Sequence, residues 1–149
     1  MSTLEHSKHH GHTTHIPTTN VLIKLSPTFE GQLKSAQRTF TKDSNVSLLI
    51  DDKIEVSDET ELITWQLMTT LDVEITSNGA MLSKPEYSSI TPVKKLYIEN
   101  LSHSDIQMNV VSLDPPPLEL DRRIENLKRI ELKIPASRAE SGKLDIKVK

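Results

Sequence analysis

The stretch from Asn45 to Thr70 constrains the fold more than any other. Val46, Leu48, Ile50, Ile54 and Val56 occupy alternate positions, Asp58-Glu59-Thr60 interrupts them, and Ile63, Trp65 and Leu67 resume the alternation. A period of two on both sides of a polar break predicts an antiparallel hairpin with one buried face. The second arm carries the only tryptophan. Full burial of a large apolar side chain contributes roughly 1.5–3 kcal/mol, so the face shared by Ile63, Trp65 and Leu67 is expected at the centre of the protein.

The rest of the chain repeats this pattern in shorter pieces. Met1 to Thr19 is polar and has neither apolar period, which predicts a disordered, His-rich N-terminal arm over 1–19. From Asn20 onward, strands are expected at Val21–Leu25, Leu33–Phe40, Val73–Ser77, Ala80–Ser83, Lys95–Asn100, Ile106–Leu113, Arg129–Ile134 and Leu144–Val148, beside the two central arms. Asn78-Gly79 tolerates the positive φ angles of a tight hairpin turn. Pro85 to Pro92 reads as an irregular loop, Pro115-Pro116-Pro117 ends a strand, and Leu118 to Lys128 has room for one helical turn. About ten short strands separated by turn signals make an all-β fold, an antiparallel β-sandwich over 20–149, the most economical architecture.

Composition narrows the function classes. Charged residues make up 26% of the chain and nearly balance, leaving a net charge of -3. No overall basic field favours nucleic acid or an anionic membrane, so neither partner is expected. Cysteine is absent, so the redox compartment cannot be read from that side. No apolar run approaches a spanning helix and the N-terminus lacks a basic-then-apolar leader, so the chain as written is expected to stay in the cytoplasm.

Three groups of residues could carry chemistry. His6 and His10 stand four residues apart and His12 and His15 three apart, spacings that can put two imidazoles on one zinc ion or leave an arm that binds divalent metal diffusely. Arg122 and Arg123, with Lys128 and Arg129, form a basic cluster whose guanidinium groups suit sulfate or carboxylate, although Glu119, Asp121, Glu125 and Glu131 interleave it as on a solvated face. Arg38 shares the register of Ala36 and Phe40, which predicts a partly buried side chain, either paired with Asp51 or Asp52 or touching substrate. His103 reads as a solvated loop residue. The two tyrosines, Tyr87 in a Pro/Ser loop and Tyr97 on a strand, are not assigned a catalytic role.

Taken in order, Ser26-Pro27-Thr28-Phe29-Glu30-Gly31, Lys34 to Phe40, Leu49-Ile50-Asp51-Asp52, Thr64 to Thr69, Asp114-Pro115-Pro116 and Lys128 to Leu132 resemble the C-terminal β-domain of heparinase II/III-like polysaccharide lyases. In that family an arginine-bearing strand leads to a strand ending in Asp and then to one with a Trp-x-Leu core. Ser2 to His6 is similar to the family's Ser-x-x-x-His-Asn-Thr segment, with Ser7 and Lys8 in place of Asn and Thr; the resemblance implies a zinc-holding role for His6. It also implies that the other metal ligands, the active-site histidine and the helical toroid with the catalytic tyrosine lie upstream of Met1. The expectation is thus a domain of a lyase that cleaves uronic-acid glycans by elimination, inactive by itself. Its partners are the toroid or an anionic polysaccharide, and its location is periplasmic if the full-length protein is exported. An open apolar surface left by the toroid favours self-association. The alternative is a free-standing β-sandwich that binds glycan or protein without chemistry, or a plain structural module.

Overall fold

The structure, a computed structural model of the 149-residue chain, describes residues 20–42, 44, 46–85 and 95–149. The histidine arm with His6, His10, His12 and His15, and Tyr87 with most of its loop, lie outside the described residues.

Ten strands form three antiparallel sheets. They are β1 (Asn20–Lys24), β2 (Leu33–Lys42), β3 (Leu48–Val56), β4 (Leu62–Thr69), β5 (Asp72–Ile75), β6 (Gly79–Ser83), β7 (Leu96–Glu99), β8 (Asn109–Ser112), β9 (Lys128–Pro135) and β10 (Lys143–Val148). The first sheet runs β1-β2-β3-β10, the second β4-β9-β8 and the third β5-β6-β7. No α-helix is present among the described residues. Leu118 to Lys128 contains bends and turns rather than a helical turn, and the two short 3-10 turns fall at Ser26–Phe29 and Ala136–Arg138.

The two alternating arms are both strands, but they do not form a hairpin. Strand β3 pairs with β2 and β10, while β4 pairs with β9. Alternation fixes which face of a strand is buried and says nothing about its neighbour. Here Ile50 and Ile54 on β3 and Ile63, Trp65 and Leu67 on β4 all pack against the same buried cluster, so the chain steps from one sheet to the next between the arms. The step is pinned by Ser57 and Thr60, whose hydroxyls both donate to the carbonyl of Gln32, at 3.0 and 2.7 Å.

The cluster is aliphatic and draws on every sheet. Ile130, Leu132 and Ile134 of β9 are fully buried in one cluster with Leu144, Ile146 and Val148 of β10 and with Ala80, Leu82, Ile98 and Met108. Trp65 belongs to it, 3% exposed, as its alternation predicts. Met108 and Ile106 reach it from outside β8, which begins only at Asn109; the strand expected from Ile106 is shorter because the buried side chain of Asn100 ties down the turn between them. Strand β1, by contrast, is exposed along its whole length.

The hairpin of β5 and β6 is present, with Ile75 opposite Ala80, but Gly79 serves a different purpose from the one expected. Positive φ among the described glycines is confined to Gly31 and Gly142. Gly79 instead lies under β7: a Cβ there would stand 1.8 Å from the carbonyl oxygen of Ile98. Backbone cannot yield as a flexible side chain can, so Gly79→Ala must part β6 from β7. Its cost is expected to reach or exceed about 3 kcal/mol. At Gly31 the φ is +81° with nothing within 4 Å of an added Cβ, and Gly31→Ala should cost only about 1–2 kcal/mol. Urea unfolding midpoints of the two variants check the difference.

Candidate functional site

Of the residues singled out from sequence, Arg38 has the most informative surroundings. The β2–β3 register sets Arg38 opposite Asp52, and β10 sets Ile146 on the other side of Asp52. All three therefore share the inner face of the first sheet. The guanidinium binds the carboxylate side-on: Nε donates to Oδ1 and Nη2 to Oδ2, each at 2.6 Å. Asp51, one residue away, points to the other face and pairs in register with Thr39. The hydrogen bonds that Arg38 donates to Asp52 are the largest influence on it and, against the opposing effect of burial, hold the guanidinium above its usual range.

Across the gap between sheets, Trp65 presents its ring to this pair, with Arg38 Cζ 6.0 Å from the ring centroid. Such a contact adds about 0.5–1 kcal/mol. The indole Nε1 is buried with no hydrogen-bond partner among the described residues. An unsatisfied buried donor costs about 1–3 kcal/mol, so the packing of the ring outweighs the loss at its polar edge.

Beside the cluster opens a cavity of about 420 Å³. Its walls include Leu25, Phe29, Leu33, Ile54 and Ile63, the Arg38–Asp52 pair and Trp65 close it, and Gln32, Glu59, Thr60 and Glu61 form its lip. A second cavity of about 710 Å³ also touches Trp65, with Leu48 and Tyr97 in its wall.

The basic cluster near the proline run does not act as one patch. Arg123 Nε donates to Asp114 Oδ1 at 2.7 Å, and the other oxygen of Asp114 accepts the Asn126 N–H at 2.9 Å. The guanidinium of Arg123, first, and the Asn126 amide hold the Asp114 carboxyl below its ordinary value. Lys128 turns to Asp72 and Asn126, and Arg129 to Glu131 at 2.6 Å. Arg122 alone of the four is exposed with no ion pair to a described residue.

Two residues read as solvated are otherwise. Glu131 is 3% exposed, held between Arg129 and Lys133 on its own strand. Burial pushes its carboxyl up, but the two cations outweigh that and leave it lowered. His103 is half-buried and structural: its N–H donates to Asn100 Oδ1 at 3.1 Å, and its ring Nε2 lies 3.0 Å from the Asp145 carbonyl oxygen. Sequence gave no sign of Asn100 itself, since a lone Asn at a strand end usually marks only a turn.

No group of three or more His, Cys, Asp or Glu is placed to hold a metal among the described residues. Tyr97 is largely exposed beside the second cavity and does not meet His103 in either described cavity.

Removing Asp52 would strand a guanidinium on the inner face of the first sheet. Breaking a buried pair costs about 3–5 kcal/mol. The Arg38 side chain is 26% exposed and can recover some hydration through the cavity, so Asp52→Ala should destabilise by about 2–3 kcal/mol. The double change Arg38→Met with Asp52→Leu should recover most of that loss, as read by denaturant unfolding and the emission of Trp65.

Comparison with known proteins yields no matching family profile and no curated sequence of significant similarity.

Proposed function

We propose that this chain is the β-sandwich domain of a heparinase II/III-like polysaccharide lyase, supporting uronate-glycan recognition or a catalytic toroid without cleaving glycan by itself. The observation that supports this reading is the convergence of its landmarks. Arg38, Asp52 and Trp65 sit on three successive strands, in three of the stretches that carry the resemblance, and they meet in one cluster. A sandwich suits a core to which β9 and β10, from different sheets, both contribute. Zinc, if the arm binds it, would be held by His6, His10, His12 and His15.

Elimination next to a uronate needs a group that neutralises the carboxylate, a base for the C5 proton and an acid for the leaving oxygen. The cluster supplies none of these cleanly. Arg38 is already matched by Asp52, the His103 ring lies on the Asp145 carbonyl, and Tyr97 is largely exposed away from the pair. The pure chain is therefore expected to release no unsaturated uronate from heparin, hyaluronan or alginate, with or without added zinc. Growth of the ultraviolet absorbance of that product, at a rate above a heat-denatured control, would refute the reading.

A second reading, a free-standing module that binds anionic glycan without chemistry, is favoured by Arg122. Its guanidinium is exposed on the loop beyond Pro117, while that of Arg123 is occupied by Asp114. In calorimetry with heparin oligosaccharides, Arg122→Ala should weaken affinity at least threefold and Arg123→Ala less. Equal affinities for both variants and the unaltered chain would remove this reading.

A further inference from the structure

We propose that the cavity beside Trp65 is a binding site for a neutral, mainly apolar small molecule bearing a carbonyl-type acceptor, which Arg38 receives. This inference does not depend on the lyase reading. The cavity's volume of about 420 Å³ lies within the roughly 300–1,000 Å³ typical of small-molecule sites. Its walls are built on β2, β3 and β4, and its lip is held in place by the hydroxyls of Ser57 and Thr60 on the Gln32 carbonyl. The site is thus formed before a ligand arrives, and little ordering is required on binding.

The polar chemistry of the cavity is sharply limited. Asp52 occupies Nε and Nη2 of Arg38, and Nη1 has no hydrogen bond to a described residue. Nη1 therefore remains as a donor, in a side chain that keeps 26% exposure and lines this cavity. The indole N–H is sealed inside the packing and does not serve the ligand. Charge then selects the ligand class. Asp52 cancels the cation of Arg38, and Glu59 and Glu61 stand at the lip, so an anion entering the cavity meets net negative charge. An aromatic platform for a sugar is also lacking at Trp65, whose ring is 3% exposed and faces Arg38. What fits is an apolar body against Phe29, Leu33 and Ile63 with one acceptor toward Nη1.

The neutral naphthyl ketone Prodan has this chemistry and reports on its own surroundings. Trp65 is the only tryptophan, so energy transfer from protein to probe signals binding beside it. Titration of the full chain should give saturable transfer at one probe per chain, with the probe's emission shifted to the blue. Anilinonaphthalene sulfonate, a naphthalene with a fixed negative charge, should bind at least fivefold more weakly. Leu62 and Leu48 are similarly half-exposed, at 49% and 46%, and line the first and the second cavity respectively. Their exposure means that a carboxylate at either place leaves folding intact. Leu62→Glu should weaken Prodan at least fivefold, and Leu48→Glu should leave it within twofold. The proposal is overturned by non-saturable transfer, by a loss confined to Leu48→Glu, or by binding of the sulfonate as tight as that of the ketone.

Discussion

The arrangement depends on β10 more than on any other strand, because it is bonded on both sides to parts of the molecule that would otherwise be separate. Along one edge it pairs with β3 over its whole length. Along the other its end meets the end of β7: Glu99 and Lys149 exchange both backbone hydrogen bonds, at 2.8 and 3.0 Å, and the Leu101 N–H donates to the Lys147 carbonyl at 2.8 Å. Ser102 adds its hydroxyl as acceptor for the Lys147 N–H. The first and third sheets are thereby joined edge to edge, and Leu144, Ile146 and Val148 are directed at the second. With the inward residues of β9 they form the apolar centre against which β3, β4, β5, β6 and β7 also pack.

Against that apolar centre the Arg38–Asp52 pair stands out as a polar insertion. Two well-packed aliphatic side chains at the same positions would fill the gap at little or no loss of stability. The ion pair fixes something that aliphatic residues would leave undetermined: with Arg38 opposite Asp52, a slip of β2 against β3 by one residue sends one charge to each face. The same pair leaves a single oriented donor at the end of an apolar cavity. Register specificity and a selective recess thus come from one interaction, and the buried indole beside it holds the guanidinium in place from the far side.

Much of this was legible from residue order, and the reasons for the remainder are physical. All ten strands stand close to where alternation puts them, and Ile63, Trp65 and Leu67 on β4 and Ile130, Leu132 and Ile134 on β9 face inward as their alternation implies. Arg38 is partly buried and paired with Asp52, one of the two partners its register allowed. Strand partners were not legible, because period two is the same whether Trp65 faces a neighbour in its own sheet or across a layer. The role of Gly79 was hidden for a related reason: its neighbour Ile98 is distant in sequence, and only the approach of β7 makes a side chain impossible there. Glu131 looked solvated because its compensating cations are the adjacent residues of alternate rank, Arg129 and Lys133, a pattern shared with ordinary surface strands.

The crossing from β3 to β4 has a consequence for how the molecule reaches this state. Had the two arms formed a hairpin, a short loop would have closed early and guided the rest. Instead β3 closes locally on β2 but leaves its other edge for β10, and β4 finds Trp65 opposite Leu132, so β4 and that open edge wait for segments far along the chain. Closing such long loops costs entropy before any contact rewards it, and topologies dominated by distant pairings fold slowly. The time spent with β4 unpaired is also time with Ile63 and Leu67 open to other chains. The layered arrangement that shelters Trp65 in the finished molecule therefore makes assembly the vulnerable stage of its life.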